Sequence, residues 1–244
     1  MKYELGLFQN NIEDEPKIDI VGSDKHRQLA WEAVRKSLVL LKNERHMLPI
    51  AKDTAHIVVA GAAADSIGLQ CGGWTIEWLG GAGDITPGTT LLQAIRQTVS
   101  AETTIHFQQT GHLPESIDAD VGIVCLHEPP YAEGVGDRAD LNLDAEEISL
   151  IERVRDRCRR LVAIIFSGRP LIISEQLPMV DAWIAAWLPG TEGQGIADVL
   201  FGDYRPAGKL SYTWPRSLDQ IPFCIDQMAT GDNAPLFPFG FGLN

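Results

Sequence analysis

Basic residues are scarce in this sequence. Its 244 residues include 20 Lys and Arg against 33 Asp and Glu, which gives a formal net charge of −13. Because a nucleic-acid backbone is bound by clustered Lys and Arg, this balance argues against nucleic-acid binding. The one dense basic patch, residues 153–160, is interspersed with Glu152 and Asp156 and lies near the end of a predicted helix, where cations complement the helix dipole.

Long apolar runs are missing too. None approaches the roughly 20 residues of a membrane-spanning helix, so the sequence predicts no membrane span. The first six residues, MKYELG, lack the apolar core of a signal peptide, and we expect nothing in this chain to direct export. The localisation of the protein stays open on these residues.

Cysteine is scarce as well, with Cys71, Cys125, Cys158 and Cys224 as the four in the chain. They form neither a CxxC pair nor the spacing of a zinc site, so no metal centre is predicted and disulfide pairing stays open. The nucleotide-binding fingerprint is also incomplete, because Gly61 is followed by Ala-Ala-Ala-Asp without the further glycines that let a backbone approach a pyrophosphate. We therefore predict no cofactor.

Apolar runs of strand length alternate with helical patterns along the chain. The predicted strands are 56–60, 104–107, 121–126, 161–166 and 182–187. The predicted helices begin near Ser23, Thr89 or Thr90, Asp144 and Thr191, and the last of them ends at Gly202. Unbroken apolar strands separated by helices are typical of a mostly parallel sheet covered on both faces. The sequence therefore predicts a doubly wound, three-layer α/β/α sandwich.

This sandwich is predicted to occupy residues 23–244. Residues 1–22 are polar and without a sustained period, and we interpret them as a linker or packed extension. The first helix is expected to run from Ser23 until Asn43 and Pro49 end it. Its apolar face should carry Ala30, Ala33, Val34, Ser37, Leu38 and Leu41.

Three finer expectations concern helix starts and the tail. Asp144 with Glu147, and Thr191 with Gln194, have the three-residue spacing of a capping box. The helix after Asp144 is expected to extend to Cys158. Residues 210–213 are a candidate edge strand.

A loop of mixed acidic and glycine residues follows the predicted strand at 121–126. It contains two carboxylates, Glu128 and Glu133, and the glycines at 134 and 136 leave the backbone after Glu133 free to adopt unusual dihedrals. A loop at the carboxyl end of a strand is where ligands bind in open α/β sheets. Glu133 is therefore a candidate proton donor, and the simpler alternative is a solvated acidic loop.

A second loop, residues 62–88, is rich in glycine and contains Trp74 and Trp78. A loop of this length in a compact domain is usually functional or disordered, and two tryptophans argue against disorder. The residues alone leave open whether the indoles contact a ligand or belong to the core.

Several motifs, taken together and in order, resemble the second domain of glycoside hydrolase family 3. They cover nearly the whole chain: 35–43, 71–81, 128–137, 167–170, 187–195, 201–204 and 235–243. The branch that the chain resembles most is that of the β-glucosidases and exo-acting β-glucan glucohydrolases.

The resemblance implies a retaining glycosidase whose nucleophilic Asp lies on a preceding (β/α)8 barrel. It assigns the acid/base role to Glu133 and makes Trp78 one wall of an aromatic clamp around a sugar at the leaving-group subsite. Trp74 would support the loop from beneath. Glu128 would lie near the substrate, although a structural role is equally open, and Arg169 is expected to pair with a neighbouring acid.

The family further implies a β-glucoside or β-glucan oligosaccharide as substrate and a barrel domain, in the same chain or a separate one, as partner. Full-length relatives are often secreted or periplasmic. Without a barrel this chain should show little or no turnover. The alternative is a non-catalytic carbohydrate-binding or interaction module.

Overall fold

The computed structural model describes residues 1–9, 20–222 and 231–244, which form a six-stranded sheet flanked by helices. The strands are β1 Val39–Asn43, β2 His56–Ala60, β3 Thr104–Gln108, β4 Ala119–His127, β5 Cys158–Phe166 and β6 Ala182–Ala185. Their order is β1-β6-β5-β4-β2-β3. All neighbours are parallel except β1, which pairs antiparallel with β6.

Helices cover both faces of this sheet. They are α1 Asp24–Ser37, α2 Ile67–Cys71, α3 Leu91–Thr98, α4 Ala145–Arg155 and α5 Gln194–Leu200. One apolar cluster joins the sheet to α1, α3 and α5 through Val34, Ile95 and Ile196. The other contains Ile151 of α4 and Trp214 from the tail. The predicted three-layer sandwich with a mostly parallel sheet is thus confirmed.

The first helix is shorter than predicted. It ends at Ser37, and Leu38 leads directly into β1. The prediction that the helix continues beyond Ser37 was therefore wrong. Residues 39–41 are all apolar. In β1, which pairs with β6, all three of their side chains are buried. The predicted apolar face is confirmed only in part, because Val34, Leu38 and Leu41 are buried whereas Ala30, Ala33 and Ser37 are exposed.

The start of α3 is closed by a complete capping box. Thr90 and Gln93 exchange hydrogen bonds of 3.1 and 3.2 Å there, which confirms Thr90 as the cap. The capping box predicted at Asp144 is absent: Glu147 instead accepts a hydrogen bond from the His127 backbone N–H at 3.1 Å. The buried Glu147 carboxylate therefore binds the end of β4 and does not cap α4.

Two further expectations about helix ends were wrong. Gly193, rather than Thr191, occupies the cap position of α5, and the Thr191 hydroxyl donates to Glu192 at 2.9 Å. Cys158 begins β5 and does not belong to α4.

The tail also differs from its prediction. No strand forms at 210–213, and Trp214 instead makes an isolated bridge to Phe237.

Cys71, Cys125 and Cys158 are free thiols, whereas Cys224 lies outside the described residues. Burial raises the pKa of the Cys158 thiol to about 12, so it stays protonated at neutral pH. None of the helices in the described part of the chain has the length and apolarity to span a bilayer.

Replacing Thr90 by alanine should lower the free energy of unfolding by about 2 kcal/mol, because the substitution removes a helix cap. The Thr90 hydroxyl also donates to Asp65 at 2.8 Å, so the loss should reach the upper part of the usual range. Urea unfolding of the chain measures the difference. Thr90→Ser keeps the oxygen and should retain most of the stability, and an equal loss in both variants would contradict a capping role.

The strand order places a switch point between β2 and β4. After β2 the chain crosses outward to β3 and then returns to β4 on the other side of β2. Loops that leave the carboxyl ends of two such strands diverge and leave a crevice, which is where ligands bind in open α/β sheets. Here those loops are 61–90 after β2 and 128–144 after β4, so both predicted site loops flank the switch point.

Candidate active site

The Glu133 loop, residues 128–137, leaves β4 and closes in a tight turn. Gly136 N–H donates to the Ala132 carbonyl at 2.8 Å, and Asp137 N–H donates to the Gly134 carbonyl at 3.1 Å. Gly134 has a φ of +76°, which a side chain would disfavour. Glu133 lies at the tip of this turn, and its side chain is exposed. No ion pair or side-chain hydrogen bond with another described residue engages its carboxylate.

The tryptophan loop, residues 72–81, presents both indoles to solvent. Trp74 N–H donates to the Trp78 carbonyl at 2.9 Å, which closes the loop. Trp78 is 52% exposed and Trp74 is 61% exposed. The expectation that Trp74 packs beneath the loop was therefore wrong. Trp74 has a φ of +60°, in the left-handed region that side chains rarely adopt.

The two loops touch through their backbones. A Cβ atom at Gly73 would lie only 1.9 Å from the Tyr131 carbonyl oxygen, so only glycine permits this approach. Glu133 lies two residues beyond Tyr131. The loop that carries the indoles and the loop that carries the candidate acid are thus in direct contact.

A pocket of about 250 Å³ opens where these loops meet the sheet. It is lined by Gly72, Gly73, Trp74, Glu128, Pro129, Pro130, Tyr131, Ser167, Gly168 and Leu188. Its wall is mostly apolar, and Glu128 supplies the one carboxylate among these lining residues. The described residues contain no group of three or more His, Cys, Asp or Glu that could hold a metal ion.

Glu128 is buried, with 5% of its surface exposed, and forms an ion pair with Arg169. Arg169 Nε donates a hydrogen bond to Glu128 Oε1 at 2.9 Å, Arg169 Nη2 lies 2.9 Å from the same oxygen, and Arg138 Nη1 lies 3.8 Å from it. The predicted pairing of Arg169 with a neighbouring acid is confirmed. Glu128 Oε2 is buried without a hydrogen-bond partner among the described residues, so it is free to accept a hydrogen bond from a ligand.

Tyr131 and Arg138 were missed as parts of the site by sequence reasoning. The Arg169 guanidinium carbon lies 4.2 Å from the centre of the Tyr131 ring, a cation–π contact. Burial and the nearby Glu128 carboxylate raise the pKa of Tyr131, partly offset by Arg169. The signal in the sequence was the position of Tyr131 directly after Pro129-Pro130, because two prolines restrict the backbone that carries the ring.

The segment after Glu133 is braced by Asp140. Asp140 Oδ1 accepts hydrogen bonds from the Asn142 backbone N–H at 2.9 Å and from its side-chain amide at 2.7 Å. Asp137 contributes a backbone hydrogen bond, and its side chain is exposed.

Large apolar side chains on and beside the two loops are exposed. They are Trp74, Ile76, Trp78, Leu79, Val135 and Leu188. Monomeric proteins expose such side chains singly, and a group of them marks a surface that binds a ligand or another domain. Glu133, whose side chain is exposed, lies two residues before Val135 of this apolar surface.

The fold and these loops define the class of protein: a three-layer α/β sandwich with a pocket lined by Trp74 and Glu128 beside the switch point, and with Glu133 exposed on one of the two loops that form it. The chain belongs to glycoside hydrolase family 3. The profile of the Glycosyl hydrolase family 3 C-terminal domain matches residues 38–244, which confirms the resemblance of the motifs.

Individual relatives agree with this assignment. The lysosomal beta glucosidase of Dictyostelium discoideum is 32% identical and aligns with 100% of this chain and 33% of its own length. The periplasmic beta-glucosidase of Salmonella typhimurium is 29% identical, with 100% of this chain and 39% of that protein covered. The chain therefore spans about a third of the length of these relatives.

Solved structures match over nearly the whole chain. The exo-1,3/1,4-beta-glucanase from a Pseudoalteromonas species is 36% identical, with a TM-score of 0.85 over 99% of this chain and 32% of that one. The beta-glucosidase from Listeria innocua, solved in complex with glucose, is 28% identical, with a TM-score of 0.81 over 99% of this chain and 36% of that one.

Proposed function

We propose that this chain is the acid/base half of a retaining, exo-acting β-glucosidase or β-glucan glucohydrolase. The observation that carries the proposal is the placement of Glu133: exposed, without an ion pair to another described residue, and at the tip of a loop beside the switch point. The chain covers about a third of the length of its relatives, and in this proposal a further domain supplies the nucleophile. We expect that domain to be a (β/α)8 barrel, in the same chain or a separate one.

Retention requires two carboxyl groups about 5 Å apart on either side of the glycosidic bond. One attacks the anomeric carbon as a carboxylate, and the other first protonates the leaving oxygen and then takes a proton from the attacking water. A docked second domain would exclude water from the site, and exclusion of water favours the protonated form of a carboxyl group. The second carboxyl group in this scheme is Glu133.

The exposed indoles account for sugar binding. A pyranose ring presents C–H bonds on one face, and an indole can cover that face while the hydroxyls remain bonded to polar groups. Trp78 would form one wall of the leaving-group subsite, and Trp74 would line the cleft beside it. Glu128 Oε2 would accept a hydrogen bond from a sugar hydroxyl, because Arg169 holds the other oxygen.

Relatives support the substrate class. The Listeria innocua enzyme has been solved with glucose, and its D270A variant with laminaribiose. The Pseudoalteromonas enzyme is an exo-1,3/1,4-beta-glucanase. We therefore infer a β-glucoside or β-glucan oligosaccharide as substrate of the assembled enzyme. The exposed apolar surface on the two loops is where we expect the barrel to dock.

The test is complementation. The chain is mixed with a barrel domain taken from a family member, and release of nitrophenol from a nitrophenyl β-glucoside is measured. Turnover should appear only in the mixture. Measurable binding of the two domains without any turnover would overturn the catalytic proposal.

A second function, a non-catalytic carbohydrate-binding module, is favoured by the solvent exposure of Trp74 and Trp78 in the chain itself. If the indoles bind sugar, laminaribiose should change the tryptophan fluorescence, and Trp78→Ala should weaken binding about 3- to 10-fold, since an aromatic contact contributes about 0.5–1.5 kcal/mol. Tyr212→Ala is the matched control, because Tyr212 is an aromatic residue of the tail with 67% exposure. An equal effect of both variants would argue against a specific indole contact.

A further inference from the structure

The Glu133 loop is attached to the neighbouring loop by a buried ion pair. Glu128 begins the loop after β4, and Arg169 lies in the turn after β5. Arg169 Nε donates a hydrogen bond to Glu128 Oε1 at 2.9 Å, and Nη2 lies 2.9 Å from the same oxygen. The guanidinium is thereby held beside the buried carboxylate by a charge-assisted hydrogen bond.

Tyr131 packs against this ion pair. Its ring centre lies 4.2 Å from the Arg169 guanidinium carbon. A Cβ atom at Gly168 would lie 2.4 Å from the Tyr131 hydroxyl oxygen, so the phenol occupies space that only glycine leaves free. A Cβ atom at Gly136 would lie 2.5 Å from Tyr131 Cδ2. The half-buried ring therefore packs against the turn after β5 and against the returning half of its own loop.

The backbone of the same residue contacts the tryptophan loop, because the Tyr131 carbonyl oxygen abuts Gly73. Ala132 is buried, and beyond it residues 133–135 are exposed. The glycines at 134 and 136 permit the tight turn but do not restrict it to one conformation. The last fixed point before Glu133 is therefore the segment 131–132.

We propose that Tyr131 is a positioning residue, held by Arg169 and the Gly168 backbone, which orients Glu133 for proton transfer and keeps it in register with the tryptophan loop. This inference rests on the proposed acid/base role of Glu133. Tyr131 itself touches no reacting atom in this scheme. Arg169 and Glu128 act through it, since the ion pair fixes the guanidinium on which the ring packs.

Leaving-group dependence separates positioning from general damage. A dinitrophenol leaves without protonation, whereas an alkoxide needs a proton from the general acid. In the chain assembled with a barrel, Tyr131→Ala and Gly168→Ala should lower kcat/KM for an alkyl β-glucoside by about 10-fold or more, and by less than about 2-fold for a dinitrophenyl β-glucoside. Tyr131→Phe keeps the ring and should recover most of the loss. An equal loss on both substrates, or no loss, would overturn the proposal.

A second measurement needs no activity. Amide hydrogen exchange of residues 132–137 in the chain alone should accelerate by about 10-fold in Tyr131→Ala and in Gly168→Ala, because the turn loses its anchor. Exchange should be unchanged in Glu133→Gln. Unaltered exchange in both anchor variants overturns the positioning role. If Glu133→Gln itself shows no leaving-group dependence, the acid/base role fails, while faster exchange would still support Tyr131 as the anchor of the loop.

Discussion

Replacing Glu133 by glutamine is expected to lower kcat for a nitrophenyl β-glucoside by about 10²- to 10⁴-fold in the chain assembled with its barrel. Glutamine has nearly the same shape as glutamate but can neither donate a proton to the leaving oxygen nor accept one from water. KM should not rise, because the side chain acts mainly in the transition state. Steady-state kinetics measures both parameters.

The matched control is Glu152→Gln. Glu152 is an exposed carboxylate on α4, away from the Glu133 loop, and its replacement changes the net charge by the same amount. Activity should stay within about 2-fold of the parent in that variant, since surface substitutions have small effects. Full activity in Glu133→Gln would remove Glu133 from the catalytic role.

Replacing Arg169 by methionine is expected to lower the free energy of unfolding by about 3 kcal/mol, because a buried carboxylate loses its hydrogen-bonded counterion and keeps only the longer ion pair with Arg138. Glu128 is 5% exposed, and the remaining cation, Arg138, lies 3.8 Å away, too far for a hydrogen bond. The variant also loses the cation–π contact with Tyr131. Urea unfolding of the chain measures the loss.

Two variants control this result. Arg159→Met breaks ion pairs with Asp118 and Asp120 at 3.9 and 3.6 Å, and because the Arg159 side chain is 70% exposed it should cost less than about 1 kcal/mol. The double variant Glu128→Leu/Arg169→Met should be more stable than Arg169→Met alone, because the uncompensated charge is gone. A loss of under about 1 kcal/mol in Arg169→Met would show that the pair is not buried in solution.

The central sheet could be predicted from the sequence because its parallel strands are continuous apolar runs. His56–Ala60 was predicted to the residue, and β4 and β5 differ from the predictions only at their ends. The edge strand β1 could not be predicted from the sequence, because the apolar spacing of α1 continues without a break into the residues that form β1. Only pairing with β6, distant in sequence, decides that Val39 to Leu41 are extended.

The site loops could be located from the sequence, but their conformation could not. Gly73 and Gly168 are ordinary loop glycines in the sequence, and only the fold places the Tyr131 carbonyl against one and the phenol against the other. The ion pair of Glu128 and Arg169 joins residues 41 positions apart. The family resemblance implied that Trp74 packs beneath the loop, yet its side chain is 61% exposed.

The most direct test of the acid/base role of Glu133 is chemical rescue. In Glu133→Ala assembled with a barrel, the sugar–enzyme intermediate forms from a dinitrophenyl β-glucoside but is hydrolysed slowly, since no base activates water. Azide needs no base, so we predict that added azide accelerates turnover and that the product is β-glucosyl azide. Absence of rescue, or an α-configured azide, would contradict the account.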